Sequence, residues 1–295
     1  MGISVSGHDT KIGLVDIHQK IIDVDILQTN TSITPEEFIS EIGNSALELL
    51  EKNGIPMDQC VGVGIGIPGT IDRKKGIVRY SNNIKWENVP VAQLMGQILP
   101  VPIRIANDAD CAALGETVAG AGRGYQDVIM LTLGTGVGGG VVIDGDIYEG
   151  RGVSGSELGH MVIIENGEQC TCGRRGCLEA YASKGALVRD AKKATGVDYT
   201  AEEIIEKAAN GDADLQEIVN TYIRRLGTGI VNIVNILRPQ MVLLGGSLSA
   251  QGEEFIKPLS EMLKNCFGGE KGEIPDIALA ALRDTAGMIG AATLF

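Results

Sequence analysis

The chain has 295 residues and a formal net charge of −13, with 44% hydrophobic and 21% charged residues. This composition is typical of a soluble globular protein with room for two domains, each with its own core. Because an excess of acidic residues repels phosphate backbones and anionic headgroups, we expect no nucleic-acid partner and no membrane partner. No apolar run reaches the roughly 18 residues that span a bilayer, so we expect a cytoplasmic protein.

Strand-like and helix-like segments alternate along the chain, which predicts an α/β fold. The first helix is predicted to begin after a Thr34 cap, with Pro35 in its first turn, and to end near Asn53. Further helices are predicted at residues 108–118 and over most of residues 178–238, with breaks near Gly196 and Gly211. Short apolar runs predict strands at residues 3–6, 11–16, 20–28, 61–67, 101–106, 129–133, 141–143 and 241–244.

The glycine-rich run at residues 120–124 predicts a boundary between two α/β lobes. We expect an N-terminal lobe at residues 1–120 and a C-terminal lobe at residues 121–281. The last segment, residues 282–295, reads as a helix that packs back on the first lobe.

Glycines follow two of the predicted strands. Gly134, Gly136 and Gly139 match the formal pattern G-x-G-x-x-G, but a strand follows them rather than the helix that a dinucleotide-binding fingerprint requires. The pattern therefore predicts a hairpin whose N–H groups can face phosphate oxygens, with a merely flexible turn as the alternative. Gly245 and Gly246 follow a buried strand, where α/β sheets bind ligands or simply turn into a helix. No Walker A pattern is present, which excludes the P-loop class.

Asn107 and Asp108 lie where a predicted strand runs into a helix. One interpretation is that either side chain caps the helix. The other is that Asp108 accepts a proton from a substrate hydroxyl during phosphoryl transfer, while Asn107 binds hydroxyl groups beside it.

His160, Cys170, Cys172 and Cys177 supply one imidazole and three thiolates within 18 residues. This set suits tetrahedral zinc with no open position, and it predicts a structural Zn²⁺ ion rather than disulfides in a cytosolic chain. The alternative, four unrelated residues, must explain why one of only three histidines falls here.

Two carboxylates, Glu157 and Glu179, flank the cysteine cluster. Carboxylates suit hydroxyl-rich ligands, although most glutamates are simply surface charges. If zinc holds this loop, it presents both carboxylates and the His160 imidazole to one ligand.

Together these motifs resemble the ROK family (repressors, open reading frames and kinases) of the actin-like ATPase superfamily. Residues 157–160 are similar to the family's E-x-G-H motif, and residues 170–179 to its C-x-C-G-x-x-G-C-x-E motif. Residues 131–140 resemble its second phosphate loop, and residues 243–247 its adenosine turn. The resemblance covers nearly the whole chain. It implies two RNase H-like lobes of the actin/hexokinase type, with a ligand cleft between them.

The resemblance implies an ATP-dependent hexose kinase, most similar to glucokinases, with Asp108 as the base. Another hexose or N-acetylhexosamine kinase, or a sugar sensor with weak kinase activity, is the alternative. It also implies a homodimer or homotetramer. The residues implied to bind the hexose are Gly69, Asn83, Asn107, Asp108, Glu157, His160 and Glu179. Those implied to bind Mg–ATP are Gly7, His8, Gly134, Thr135, Gly136, Gly245 and Gly246.

The first strand departs from the family pattern D-x-G-G-T, since Ser4, Ser6 and His8 stand at three of its positions. The acid that assists Mg–ATP and one glycine are lost. This change predicts weak ATP binding and is the feature that favours the sensor alternative. Because the chain begins at the strand and not at a helix-turn-helix, we expect no repressor role.

Overall fold

The computed structural model describes residues 1–150, 155–248, 253–267 and 274–295. Contacts divide the chain into two compact units, and the chain passes between them four times. The first unit comprises Met1–Gly124, Gly140–Ser156 and Leu282–Phe295, and the second comprises Tyr125–Gly139 and Glu157–Ala281. The contacts thus group Gly140–Ser156 with the first unit, although chain order alone assigned that segment to the second.

The strands of the described residues are β1 (Gly2–Val5), β2 (Asp9–Val15), β3 (Ile21–Gln28), β4 (Val63–Ile67), β5 (Thr70–Asp72), β6 (Ile77–Ser81), β7 (Trp86–Val89), β8 (Ile103–Asn107), β9 (Val128–Leu133), β10 (Val137–Ile143), β11 (Asp146–Ile147), β12 (Met241–Gly245) and β13 (Asp276–Leu279). The α-helices are α1 (Pro35–Lys52), α2 (Val91–Gly96), α3 (Asp108–Ala119), α4 (Glu179–Ala182), α5 (Lys184–Thr195), α6 (Ala201–Ala209), α7 (Ala213–Leu237), α8 (Glu253–Phe267) and α9 (Ala286–Ala292). No helix among these described segments is both long and apolar enough to cross a membrane.

Two five-stranded sheets share one strand order. The first sheet has the order β3-β2-β1-β4-β8, and the second has the order β11-β10-β9-β12-β13. In the first sheet, β1 pairs in parallel with β4, and β4 pairs in parallel with β8. In the second sheet, β9 pairs in parallel with β12, and β12 pairs in parallel with β13. The prediction of an α/β fold with two sheet-containing lobes is confirmed. A smaller antiparallel sheet, β5-β6-β7, belongs to the first unit and was not predicted.

Helix α1 forms as its sequence predicts. Thr34 accepts a hydrogen bond from the Glu37 N–H, and the Glu37 carboxylate accepts one from the Thr34 N–H, which completes a capping box. Its apolar stripe is buried against the first sheet; the stripe includes Phe38, Ile42, Ala46, Leu49 and Leu50. The helix ends at Lys52, one residue before the predicted end.

The C-terminal helix α9 packs against α3, the helix that carries Asp108. Small residues allow this close contact. A Cβ atom at Gly290 would lie 1.7 Å from the Cys111 carbonyl oxygen, and one at Gly115 would lie 2.1 Å from the Ala286 oxygen. Because no side chain fits at either position, the backbones of α3 and α9 can lie in direct contact.

A buried carboxylate ties two chain segments to α3. Glu116 is fully buried, and its two oxygens accept hydrogen bonds from the Ala121 N–H at 2.9 Å and the Leu282 N–H at 2.6 Å. Both donors lie close to points where the chain leaves or re-enters the first unit. These two hydrogen bonds offset the cost of burying the Glu116 carboxyl group away from water.

The glycine-rich hairpin is shorter than predicted. The sequence suggested a loop over residues 134–140, but β10 begins at Val137, so the turn comprises only Gly134, Thr135 and Gly136. The later glycines serve packing instead. A Cβ atom at Gly139 would lie 2.7 Å from the Leu158 side chain, and one at Gly140 would lie 2.5 Å from the Ala109 oxygen.

Candidate functional site

Asn107 ends strand β8 and caps helix α3. Its Oδ1 atom accepts hydrogen bonds from the Ala109 N–H at 2.9 Å and the Asp110 N–H at 3.3 Å. Its Nδ2 atom donates to the Gly69 carbonyl oxygen at 3.1 Å. Asn107 therefore satisfies the free N–H groups of the helix start, and the capping interpretation applies to Asn107 rather than to Asp108.

Asp108 is the first residue of α3 and is half-buried. Its position at the carboxyl end of a parallel strand is where α/β sheets place ligand-binding groups. Gly69 lies next to this junction, because the Gly69 carbonyl oxygen accepts a hydrogen bond from the Asn107 side-chain amide. Gly69 has a φ of 125°, and a Cβ atom there would lie 2.3 Å from the Tyr80 oxygen, so only glycine suits this turn.

Asn83 lies in the turn between β6 and β7, and its side chain is exposed. The preceding residue, Asn82, uses its own amide oxygen to accept a hydrogen bond from Lys85 at 3.1 Å. Asn82 is therefore hydrogen-bonded within the turn, whereas the neighbouring Asn83 side chain is exposed. A role of Asn83 in sugar binding stays a prediction.

A second aspartate near Asp108 was missed by the sequence reasoning. Asp110 is only 3% exposed, and its Oδ1 atom has no hydrogen-bond partner among the described residues. Burial raises the pKa of Asp110 from 3.8 to about 7; the Arg73 guanidinium lowers it, and the charges of Asp108 and Glu149 raise it further. Arg73 forms an ion pair with Glu149. In the sequence, Asp110 reads only as another acid in the first turn of a helix.

The predicted metal ligands converge. One ligand atom from each of His160, Cys170, Cys172 and Cys177 lies within 4.8 Å of the others. The Cys172 and Cys177 sulfurs are 3.7 Å apart, and the Cys170 sulfur is 3.5 Å from His160 Nδ1. Tetrahedral zinc with bonds of about 2.0 to 2.3 Å requires ligand atoms roughly 3.5 to 3.8 Å apart, so the donor set and its spacing fit a Zn²⁺ ion.

The metal loop, residues 160–177, lies next to Glu157 in the second unit. His160 points Nδ1 at the cysteine cluster, while Nε2 lies 3.9 Å from the Glu157 carboxylate. Glu157 is largely exposed. The imidazole thus has one ring nitrogen near the cysteine sulfurs and the other near a carboxylate. A role of His160 in sugar binding stays a prediction.

Glu179 links the metal loop to the glycine turn of the second unit. Its Oε1 atom accepts a hydrogen bond from Thr171 Oγ1 at 2.5 Å, and its Oε2 atom accepts one from the Val137 N–H at 3.2 Å. A Cβ atom at Gly136 would lie 2.5 Å from the same Oε2. The carboxylate therefore packs tightly against the turn and is not a free surface charge.

The turn between β9 and β10 lies next to the turn after β12. Gly246 has a φ of 87°, and a Cβ atom there would lie 2.4 Å from the Leu133 oxygen. The Ser247 hydroxyl is 3.9 Å from the Cβ position of Gly134. The glycines at 134, 136, 245 and 246 thus gather at the carboxyl ends of β9 and β12, with Thr135 exposed between the first two.

The turn between β1 and β2 is organised by a serine. Ser6 Oγ accepts hydrogen bonds from the His8 N–H at 3.2 Å and the Asp9 N–H at 3.0 Å, and it donates to Asp9 Oδ1 at 2.6 Å. Gly7 and His8 are exposed at its tip. The serine hydroxyl therefore occupies two backbone donors of the turn that is implied to bind phosphate.

Comparison with known proteins identifies the family. The ROK family model matches residues 1–295. The chain belongs to the ROK family. It is 33% identical to a glucokinase of Thermotoga maritima over 309 aligned residues, which cover 100% of this chain and 96% of the relative.

Two solved structures are similar over nearly the whole chain. The ROK hexokinase from Thermus thermophilus aligns with a TM-score of 0.88 at 30% identity, covering 99% of this chain and 95% of that one. A ROK family glucokinase from Streptomyces griseus, in complex with glucose and AMPPNP, aligns with a TM-score of 0.79 at 31% identity, covering 99% and 97%. The resemblance drawn from the motifs and the fold class it implied are confirmed.

Proposed function

We propose that this ROK family member is an ATP-dependent hexose kinase with glucose as its substrate. The observation that carries the proposal is Asp108 at the junction of β8 and α3, where Asn107 performs the capping and the carboxylate stands at a ligand-binding sheet edge. The glucokinase names of full-length relatives support the substrate.

In this proposal Asp108 accepts the proton of the attacking sugar hydroxyl as the γ-phosphoryl group is transferred. Phosphoryl transfer depends mainly on positioning and on charge stabilisation, so one well-placed acceptor suffices as the base. The N–H groups at Gly134–Gly136 and Gly245–Gly246 are suited to contact the nucleotide, because glycine lets a backbone approach phosphate closely. Gly7 and His8 belong to the other proposed nucleotide turn.

The proposed hexose ligands offer both acceptors and donors. Asn83 and Asn107 carry amides, and Gly69 orients Asn107 through its carbonyl oxygen. Glu157, His160 and Glu179 supply two carboxylates and an imidazole. A ligand set of this kind rejects analogues that lack a hydroxyl group, because buried polar groups then lose their partners.

We propose that the Cys₃His cluster holds a structural Zn²⁺ ion. All four positions of a tetrahedral ion would be filled by protein atoms, so the metal supplies rigidity and takes no part in phosphoryl transfer. Its function would be to hold His160 and Glu179 in place. Elemental analysis of the purified protein should find one zinc per chain.

The replacement Asp108→Asn tests the proposed base. We expect the variant to bind glucose normally in calorimetry and to lose about a hundredfold or more in kcat. Asp214→Asn is a matched control, since Asp214 is an exposed aspartate in the first turn of α7. Near-normal turnover by the Asp108 variant would show that another group accepts the proton.

A hexose panel tests the proposed substrate. Glucose should exceed 2-deoxyglucose and fructose in kcat/KM, measured by coupled ADP release. A marked preference for an N-acetylhexosamine or another hexose would replace glucose as the substrate and leave the kinase activity standing.

One observation favours a second function, a sugar sensor with weak kinase activity. Ser6 occupies the N–H groups of His8 and Asp9, which limits what the first turn can offer to a nucleotide. Measured affinities separate the two functions: the sensor binds glucose tightly and turns over slowly even at saturating Mg–ATP.

We further propose that the protein acts in the cytoplasm as a homodimer or homotetramer. Its net charge of −13 makes nucleic acid and membranes poor partners. Light scattering on the purified protein decides between the two oligomeric states.

A further inference from the structure

Asp110 is a buried carboxylate that the proposed reaction does not use. It lies in the first turn of α3, two residues after Asp108, and is 3% exposed. Its Oδ1 atom has no hydrogen-bond partner among the described residues. An unpaired buried carboxylate oxygen is costly, so its presence beside a proposed catalytic residue calls for a reason.

The charged groups around Asp110 come from several elements. Arg73 approaches from the turn after β5, Glu149 from the segment after β11, and Asp108 from the same helix. Cys111 is also near, but burial raises the pKa of its thiol, so it adds no charge. Arg73 is shared with Glu149 through their ion pair. Among the described residues, the Asp110 carboxylate therefore interacts with one guanidinium and two carboxylates, and it accepts a hydrogen bond from the Val141 N–H.

The side chains of residues two apart on a helix do not touch, so Asp110 and Asp108 interact through space rather than by a hydrogen bond. In a buried region such an interaction is weakly screened. Like charges disfavour each other's ionised form, so a charged Asp110 raises the proton affinity of Asp108.

We infer that Asp110 is a positioning residue that sets the proton affinity of the Asp108 carboxylate. This inference rests on the proposed role of Asp108 as the base. When Asp108 takes the proton of the sugar hydroxyl, its negative charge is neutralised and the electron pair of the O–H bond forms the new bond to the γ-phosphorus. The bond between that phosphorus and the bridging oxygen breaks at the same time, and its electron pair leaves with ADP. An ionised Asp110 favours this step because repulsion between the two carboxylates is relieved. A protonated Asp110 gives no such assistance, and its proton passes to solvent as the pH rises.

The pKa of about 7 for Asp110 places its ionisation near neutral pH. The wild-type kcat should therefore rise with pH through this range. We expect a rise of roughly threefold to tenfold between pH 6 and pH 8.

The test is the pH dependence of kcat for Asp110→Asn, measured with saturating glucose and Mg–ATP. We expect the variant to lack the rise between pH 6 and pH 8, while thermal unfolding shows that it is folded. Ionisation of ATP is common to both assays, so the difference between the two profiles isolates Asp110. A variant profile that keeps the wild-type rise, or is lowered by the same factor at every pH, would overturn the inference.

Glu149→Gln provides a second variant that keeps Asp110. The replacement removes a negative charge near Asp110 and frees the Arg73 guanidinium from its ion pair with Glu149. Loss of the negative charge and a stronger interaction with Arg73 both lower the pKa of Asp110. The midpoint of the rise in kcat should move to lower pH by roughly one unit. An unchanged midpoint would contradict the inference, and this variant decides the matter if Asp110→Asn does not fold.

Asp108→Asn separates this inference from the proposed function. If Asp108 is the base, its replacement abolishes most turnover at every pH, whereas Asp110→Asn alters only the shape of the profile. If Asp108→Asn is active and Asp110→Asn is not, the proposed base and the positioning role of Asp110 are both wrong. If Asp108→Asn is inactive and the Asp110 profile is unchanged, only the present inference fails.

Discussion

The turn from β1 to β2 and the turn from β9 to β10 occupy the same place in two sheets of identical strand order. Each has three residues, Ser6-Gly7-His8 in the first and Gly134-Thr135-Gly136 in the second. The first turn is held by its own side chain, since Ser6 accepts the His8 and Asp9 N–H groups. The second turn is held by its neighbours: the Lys184 N–H donates to the Gly134 oxygen, and Glu179 accepts the Val137 N–H.

A short hairpin turn can be made rigid in two ways, and the two have opposite consequences for a ligand. A serine inside the turn satisfies its N–H groups locally and so competes with an external anion. Glycines carry no such acceptor, and the surrounding structure must supply the support. The second turn therefore depends on Glu179 and on the metal loop, whereas the first combines the Ser6 hydroxyl with one outside hydrogen bond, from the Thr29 N–H to the His8 oxygen at 3.0 Å.

Loss of the metal should have the largest effect. Cys172→Ser removes one of the four zinc ligands and releases the loop that positions Glu179. We expect zinc content to fall and kcat/KM to drop about a hundredfold, since even outer-shell changes at metal sites cost 10- to 100-fold. Cys266→Ser is the matched control, because Cys266 is an exposed cysteine outside the cluster. Glucose affinity that survives zinc loss would show that the metal is structural without supporting the sugar ligands.

Added methyl groups should distinguish the two turns next. In Gly136→Ala the new Cβ would lie 2.5 Å from the Glu179 carboxylate, so Glu179 must shift. In Gly7→Ala the Cβ meets nothing within 4 Å. We expect roughly a thirtyfold loss of kcat/KM for ATP in the first variant, on the order of 2 kcal/mol, and little change in the second. Equal effects in steady-state assays would mean that the two turns are supported alike.

Restoring the family pattern in the first turn should increase activity. The triple change Ser4→Asp, Ser6→Gly, His8→Thr adds an acid suited to assist Mg²⁺ and frees the His8 and Asp9 N–H groups. We expect kcat/KM for ATP to rise by tenfold or more, about 1.4 kcal/mol of transition-state stabilisation. If the wild type already binds ATP tightly and the triple variant is no better, the first turn binds nucleotide in its own way and the sensor alternative loses its support.

The single change Ser6→Ala should have the smallest effect. It removes the hydroxyl acceptor and keeps a Cβ atom, so it tests the hydrogen bonds apart from backbone freedom. We expect kcat/KM for ATP to rise by about threefold. The free energy of unfolding should fall by about 1 kcal/mol, because two N–H groups lose a hydrogen-bond partner. A lower stability without any gain in ATP use would show that the freed N–H groups do not reach the nucleotide.

Features set by neighbours in the chain could be predicted well. The capping box of Thr34 and Glu37 depends on residues three apart, and the buried face of α1 on a period of 3.6, so both were confirmed. The metal ligands were also found, because three cysteines and a histidine within 18 residues form a recognisable set of zinc ligands. The start of β10 was misplaced because glycines show no alternation of apolar side chains. The absence of a side chain at Gly139 and Gly140 instead allows close packing against Leu158 and Ala109.

The α/β class, the helix caps, the metal ligands and, by resemblance, the family could all be predicted from the amino-acid sequence. Each leaves a recognisable pattern of residue types among positions close together in the chain. Tertiary structure decided the rest: that Ser6 occupies the N–H groups of its own turn, that Glu179 supports the second turn, and that Asp110 is buried with a raised pKa. These properties arise from burial and from contacts between distant segments, and burial changes the free energy of a charge without leaving any pattern in the neighbouring residues.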